Sequence, residues 1–405
     1  MKNLKSEEQM FNRLIKKNNI EIMKQNTYSE LIGDSLTKNM LKKVVLLTED
    51  QLSQKYTQDY LKKNVNLYLA EKAIKLDLNH SISGYKTCYN ENGSHSLIYN
   101  KEGYMASFDT QKLNLQFELS NNEPIYNACY LHNEEYIAVA HKNLFIYNNN
   151  GQELHCVRKI QNINHMEFLP NHFLLGNITY FRGKNKLEYL DTSIGEIIAS
   201  LELVNNPITT CNFDGIICLG NHDGTIDLRA PKQNNPLMKV KAHKNIKEIK
   251  TTYNKLFVST QDPLLKVFDL RNYFKPLYTI KDVFVNKMAI SGTEKLAINS
   301  YKNIQIIFEN KLVQKIPLNS MVESLCYHPF EDILTVSTKF SYENFIIPNS
   351  CNHGYNADVI SPYMTRKEKR ELEVKKLLEK IPPDLISYNS TIFEQISDKK
   401  KSFIK

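Results

Sequence analysis

Past residue 78 the chain alternates short apolar stretches with small polar turns, and one arrangement returns about every forty residues. Seven segments share it: a polar turn, an alternating strand, an aromatic or aliphatic residue followed by a polar one, then another strand. They end at Phe108-Asp109, Tyr147-Asn148, Leu190-Asp191, Leu228-Arg229, Phe268-Asp269, Phe308-Glu309 and Ile347-Pro348. Counted on the second residue of each pair, the intervals are 39, 43, 38, 40, 40 and 39. Period-two alternation, as in Leu264, Leu265, Lys266, Val267 and Phe268, predicts strands. Glu102-Gly103 and Asp223-Gly224 supply hairpin turns in which glycine accepts a positive φ. Repeats of this length stack as blades, because each sheet must cover its apolar face with the next. The expected fold is therefore all-β: a seven-bladed, WD40-like β-propeller over residues 73–348, with helical extensions at residues 1–72 and 349–405.

Residues 73–78 alternate like a strand but precede the first full repeat. They are expected to complete the last blade, at about residues 320–348, since a ring closed this way leaves no open edge. Within 1–72, Ser6 to Gln9 and Thr48 to Gln51 each pair an N-capping hydroxyl with a glutamine three residues on. The first piece carries an apolar stripe of Met10, Phe11 and Leu14 among lysines. Docking on a partner or the propeller wall and a solvated arm are equally compatible with it.

The sharpest local pattern lies at about 365–381. Thr365 and Glu368 form a capping box, and Pro382 and Pro383 stop the helix. Val374, Leu377, Leu378 and Ile381 share one face at helical spacing. Arg366, Lys367, Lys369, Arg370, Lys375 and Lys376 mostly point elsewhere. Such a helix can place its apolar face in a partner groove while its cations meet a nucleic-acid backbone. It can equally pack on its own propeller, and helix physics alone favours that.

Charge supports the division. Residues 1–72 hold 13 basic and 9 acidic groups, residues 73–348 hold 28 and 27, and residues 349–405 hold 11 and 8. A near-neutral body with basic arms suits a scaffold whose extensions meet a polyanion. Lysine outnumbers arginine 45 to 7, which favours diffuse phosphate contact over bidentate base readout. The seven cysteines are scattered singly, without the paired short spacings of a zinc site, and read as thiols of a reducing compartment. No metal or other cofactor is expected. No apolar run approaches the ~18 residues of a membrane span, and no signal-peptide core follows Met1, so neither membrane nor secretion is expected. Phosphate-binding loops, zinc-protease and nucleophile-elbow motifs are absent, which argues against an enzyme or a small-molecule substrate.

The best-preserved unit looks like a WD repeat: His243, then Ser259-Thr260-Gln261-Asp262, then Lys266 to Arg271. Asp262 and Asp269 read as structural blade residues. Phe268 stands where the family has tryptophan and offers no indole N–H, so the buried hydrogen-bond chain of that family ends one member short. Taken in order, further stretches resemble one WD-repeat family, the U3 small nucleolar RNA-associated proteins with a dedicated C-terminal domain. They include Tyr89 to His95, Met105 to Asp109, Tyr136 to Ala140, Gly151 to Cys156, Met166 to Leu175, and Arg370 to Ile381. The resemblance implies a non-catalytic scaffold of the small-subunit processome in the nucleolus, among other processome proteins, propellers included, and the U3 and precursor ribosomal RNAs. The chain departs from the family where a glycine-rich turn before the C-terminal helix is replaced by Ile347 to Gly354, which puts a loop contact there in doubt. The competing reading is a WD-repeat adaptor in another nuclear complex, since this fold hosts many interaction roles.

Overall fold

The computed structural model describes residues 57–351 and 365–386, apart from 214, 243–244, 253–254, 271, 301–302, 310 and 319. Within them, seven four-stranded antiparallel sheets follow one another along the chain. Blades 1 to 6 occupy 85–120, 127–161, 163–203, 207–241, 246–281 and 288–317, each an up-and-down meander in chain order. Blade 7 takes three strands from 322–346 and its fourth from Lys75–Asp77. The seven-bladed propeller expected from the repeat is the fold observed, and each pair used to count the period lies at the end of a third strand or just past it.

The closing strand pairs Lys75 with Glu343, Leu76 with Tyr342 and Asp77 with Ser341. Two helices precede it, α1 (Gln58–Asn64) and α2 (Leu67–Lys72), and both belong to the closure. The Gln58 amide exchanges two hydrogen bonds with the backbone of Ile346, at 2.9 and 3.1 Å, extending the ladder where the third strand of blade 7 ends. Leu69 and Ala73 pack with Ile333 and Ile346 in one buried cluster. Lys72 forms a buried ion pair with Glu331 and lies over the Tyr68 ring at 4.2 Å. The capping signals at Ser6 and Thr48, and the stripe at Met10, Phe11 and Leu14, lie outside the described residues.

The blades hold together through apolar side chains that alternate inward along each strand, such as Leu97, Ile137, Leu174, Leu256 and Leu334, all with essentially no exposure. Each fully buried aliphatic side chain contributes about 1.5–3 kcal/mol. Blades 3 and 4 approach so closely at Gly176 that a Cβ there would lie 2.1 Å from the Ile217 Cδ1 atom. In the turn at Gly103 the backbone takes φ +93°, and a side chain would strike the Asn121 carbonyl.

Phe268 is buried between blades as a space-filling ring, part of the cluster that joins blades 3, 4 and 5. The Thr260 hydroxyl donates within its own turn, with the carbonyls of Asp262 and Leu264 both at 3.1 Å. Asp262 lies exposed in that turn, and Asp269 ends the third strand half-buried. His243, the expected start of the hydrogen-bond chain, lies outside the described residues.

In a meander blade, the turns joining first to second and third to fourth strands fall on one face of the ring. The second-to-third turns and the connections between blades fall on the other. The first face carries the C-terminal segment.

Candidate functional site: the C-terminal strap and its docking face

The strap begins where the chain leaves blade 7. Asp332, buried in the turn after that blade's first strand, accepts the backbone N–H groups of Asn349, Ser350 and Cys351 at 2.9, 2.8 and 3.0 Å. Asn349 takes φ +55°, the left-handed conformation that a glycine would otherwise supply, and asparagine tolerates it. Blade 6 adds the Thr293 hydroxyl on the Asn349 carbonyl and the Lys295 ammonium on that of Pro348, at 2.9 and 2.6 Å. Residues 349–351 of the segment that departs from the family's glycine-rich turn are thus firmly tied, by a carboxylate the sequence reading did not single out.

The chain returns as helix α3, Arg366–Leu378. Its capping box is present: Thr365 accepts from the Glu368 N–H, and Glu368 accepts from the Thr365 N–H. The helix stops at Leu378, three residues short of the expected Ile381. Pro382 disfavours helical geometry at the residue before it. In addition, the Ile381 N–H donates to the Asn171 carbonyl at 3.2 Å and its carbonyl accepts from His172 Nδ1 at 3.1 Å. Further on, Ile386 is buried in the core shared by blades 3 and 4.

What holds α3 to the ring is charge. Lys369 pairs with Glu134 of blade 2, Lys376 with Glu91 of blade 1 at 2.9 Å, and Lys380, just past the helix, with Asp191 of blade 3. In the opposite sense, Glu373 accepts from His132 Nε2 at 3.0 Å and from the Asn133 amide at 3.4 Å. His132 is itself held between the Tyr136 and Phe173 rings. Burial pushes the Asp191 carboxyl up, but the Lys380 ammonium and the Ser193 donors more than offset it and hold it below the usual carboxylate value. All of these partners lie in turns on one face, so the C-terminal segment runs from blades 6 and 7 to blades 1, 2 and 3.

This arrangement inverts the packing that helix physics favours. No residue of α3 is buried. Val374, Leu377, Leu378 and Ile381 remain 57%, 43%, 82% and 40% exposed, and the apolar surface continues to Leu385. The six basic residues divide: Lys369 and Lys376 are taken up by the propeller, while Arg366, Lys367, Arg370 and Lys375 stay exposed. Sequence reasoning missed Glu91, Glu134, His132, Asp191 and Asp332 as anchors. Their one common signal is position, in the turns just after first or third strands.

Ring and strap together define a class: a β-propeller that carries a helical C-terminal segment tied across one face. Residues 312–389 match the BING4CT (NUC141) domain, a span that includes three of the four strands of blade 7 and the strap that follows. The chain is 29% identical over 385 residues to U3 small nucleolar RNA-associated protein 7 of Saccharomyces cerevisiae, covering 87% of this chain and 68% of that protein. It is also 29% identical over 336 residues to WD repeat-containing protein 46 of Homo sapiens, covering 78% of this chain and 55% of that one. The same-named protein of Caenorhabditis elegans matches at 29%, with 62% of its length covered. These matches bear out the family resemblance read from the sequence: a WD-repeat protein of the U3 small nucleolar RNA-associated kind, with a dedicated C-terminal domain. Among solved structures, the β-propeller domain of Myceliophteria thermophila Cps50 (Swd1) superposes with a TM-score of 0.57 at 15% identity, over 68% of this chain and all of that one. That likeness concerns the fold alone.

Proposed function

We propose that this chain is a non-catalytic scaffold of the small-subunit processome, acting in ribosome biogenesis in the nucleolus, where U3 RNA, precursor ribosomal RNA and other processome proteins surround it. The observation that carries this reading is that similarity to the yeast U3-associated protein spans 87% of the chain, while the strap presents exposed apolar and cationic side chains together. In this reading Val374, Leu377, Leu378 and Ile381 enter a groove of a neighbouring protein, and Arg366, Lys367, Arg370 and Lys375 meet RNA phosphates. Lys369 and Lys376 orient the helix instead. The chemistry required is recognition only, with no cofactor.

The test is an affinity pull-down of the tagged chain from its own cells at moderate salt, with sequencing of the RNA and identification of the proteins retained. Recovery of U3 and small-subunit precursor RNA is expected. A stable protein-only complex without them would overturn the reading in favour of an adaptor elsewhere. Leu377→Asp with Leu378→Asp should release the protein from large particles while leaving the propeller folded, because both side chains are exposed in the free chain. Neutralising Arg366, Lys367, Arg370 and Lys375 should flatten the salt dependence of RNA binding by roughly one unit of slope for each phosphate no longer neutralised.

A further inference from the structure

On the face opposite the strap, the central channel opens among the first residues of the blades' first strands. Lys86 is the second residue of its strand in blade 1, His165 the third in blade 3 and Lys247 the second in blade 5. Lys287 immediately precedes the first strand of blade 6. All are half-buried. Blades 1, 3 and 6 are not neighbours in the ring, so side chains from them can sense one another only by converging on the axis. They do so: burial, then Lys287 and Lys101, lowers the Lys86 ammonium to about 8, and burial, then Lys86 and Lys287, lowers His165 to about 4.

The cations have dipolar partners and no direct ion pair. Lys86 donates to the Tyr126 carbonyl at 3.2 Å and Lys247 to the Asn286 side-chain oxygen at 3.3 Å. Among the described residues, no carboxylate lies within ion-pair distance of Lys86, Lys247 or Lys287. Glu323, from blade 7, acts on Lys86 and Glu248, from blade 5, on Lys287, both at longer range. Deeper in the channel the balance is different, because Lys250 is faced by both Glu248 and Glu167. At the mouth, Lys86, Lys247 and Lys287 therefore outnumber the two more distant carboxylates, Glu248 and Glu323.

We propose that this mouth is a phosphate site, in which Lys86, Lys247 and Lys287 surround a phosphoryl group. Ammonium groups bind phosphate as point charges from several directions, and a dianion neutralises two of them where one side-chain carboxylate cannot. Neutral His165 adds a hydrogen-bonding edge. Tyr126 stands exposed near the rim, 39% accessible, and offers a face on which a base can stack. Two sources share this chemistry, a terminal phosphate of RNA and a free polyphosphate. The site is independent of the particle assignment above.

The experiment is calorimetric titration of the full chain with inorganic pyrophosphate and, in parallel, with a short single-stranded RNA bearing either a 5′-phosphate or a 5′-hydroxyl. Saturable binding is expected, weakened at least tenfold by Lys86→Gln with Lys287→Gln, and unaffected by Lys184→Gln, an exposed lysine on the same face used as a control. A 5′-phosphate RNA that binds at least tenfold more tightly than both its hydroxyl twin and pyrophosphate assigns the site to an RNA end. Equal or weaker binding than pyrophosphate assigns it to free polyphosphate. Absence of saturable binding by all three probes, or binding that the double variant leaves unchanged while its circular dichroism is native, would overturn the proposal.

Discussion

Replacing Lys72 by Met strands a carboxylate inside the junction that closes the ring. The two side chains of the Lys72–Glu331 pair are only 3% and 8% exposed, and Glu331 Oε2 has no hydrogen-bond partner even with the lysine present. Removing one member of such a pair costs about 3–5 kcal/mol, because the remaining charge is buried and uncompensated. Taking the ammonium away from the Tyr68 ring adds roughly 0.5–1 kcal/mol. Together these come to about 5 kcal/mol, a large share of the ~5–15 kcal/mol that holds a typical domain folded. Replacing both residues with apolar ones, Lys72→Met with Glu331→Leu, removes the stranded charge and should return stability to within about 1 kcal/mol of the original. The chain has no tryptophan, so urea unfolding is best followed by far-ultraviolet circular dichroism. With a slope of roughly 3 kcal/mol/M, the single variant should lose about 1.6 M in midpoint. A loss below ~0.3 M, or a double variant no better than the single, would refute the claim that this buried pair secures the closure.

Deleting residues 1–78 removes α1, α2 and the closing strand together, and should lower the melting temperature of the whole ring rather than loosen one blade. A truncated chain that melts with the intact one disposes of that expectation. Asp191→Asn should raise hydrogen exchange in α3 several-fold, with the propeller's dichroism unchanged. Because the Asp191 carboxyl is held below its usual value, its anchoring is complete above pH 3.8 and is lost as the pH falls further, so acid should reproduce the variant's effect. Exchange in α3 that ignores both changes counts against the ionic strap. Lys86→Met should stabilise the protein at pH 7, by at most roughly 3 kcal/mol for a pKa lowered from 10.5 to about 8. That gain should fade as the pH rises through about 8 toward 10.5, where the native lysine sheds its charge. A destabilised Lys86→Met at pH 7 would contradict the picture of a half-buried cation without an ion pair.

How much of this was legible in the sequence depends on how local each cause is. Blade ends such as Phe108-Asp109 and Leu190-Asp191 could be read because one apolar residue turning inward and one polar residue starting a turn are neighbours in the chain. The capping box at Thr365 was visible for the same reason, as both members lie within one helical turn. The strap's anchors were not, since Lys376 meets Glu91 across 285 residues and nothing near either one marks the other. Helical periodicity identified the stripe of Val374, Leu377 and Leu378 correctly as one face. It could not tell that charge, held from below by Glu134, Glu91 and Asp191, would turn that face to solvent. The channel cations were within reach of the repeat itself: Lys86, His165 and Lys247 recur at 79 and 82 residues, about two blade periods apart.

The closing strand also sets a schedule. Lys75–Asp77 can pair only once Ser341–Ile346 exists, so the first strand of the propeller to be synthesised is the last to find its place. At about 5–20 residues per second, the 264 residues from Asp77 to Ser341 take roughly 13–50 s to emerge. Until Ile333 and then Ile346 are made, Leu69 and Ala73 lack the side chains that cover them. The ring cannot close before its final blade is made, and the strap, synthesised later still, can lie only across a face that is already complete.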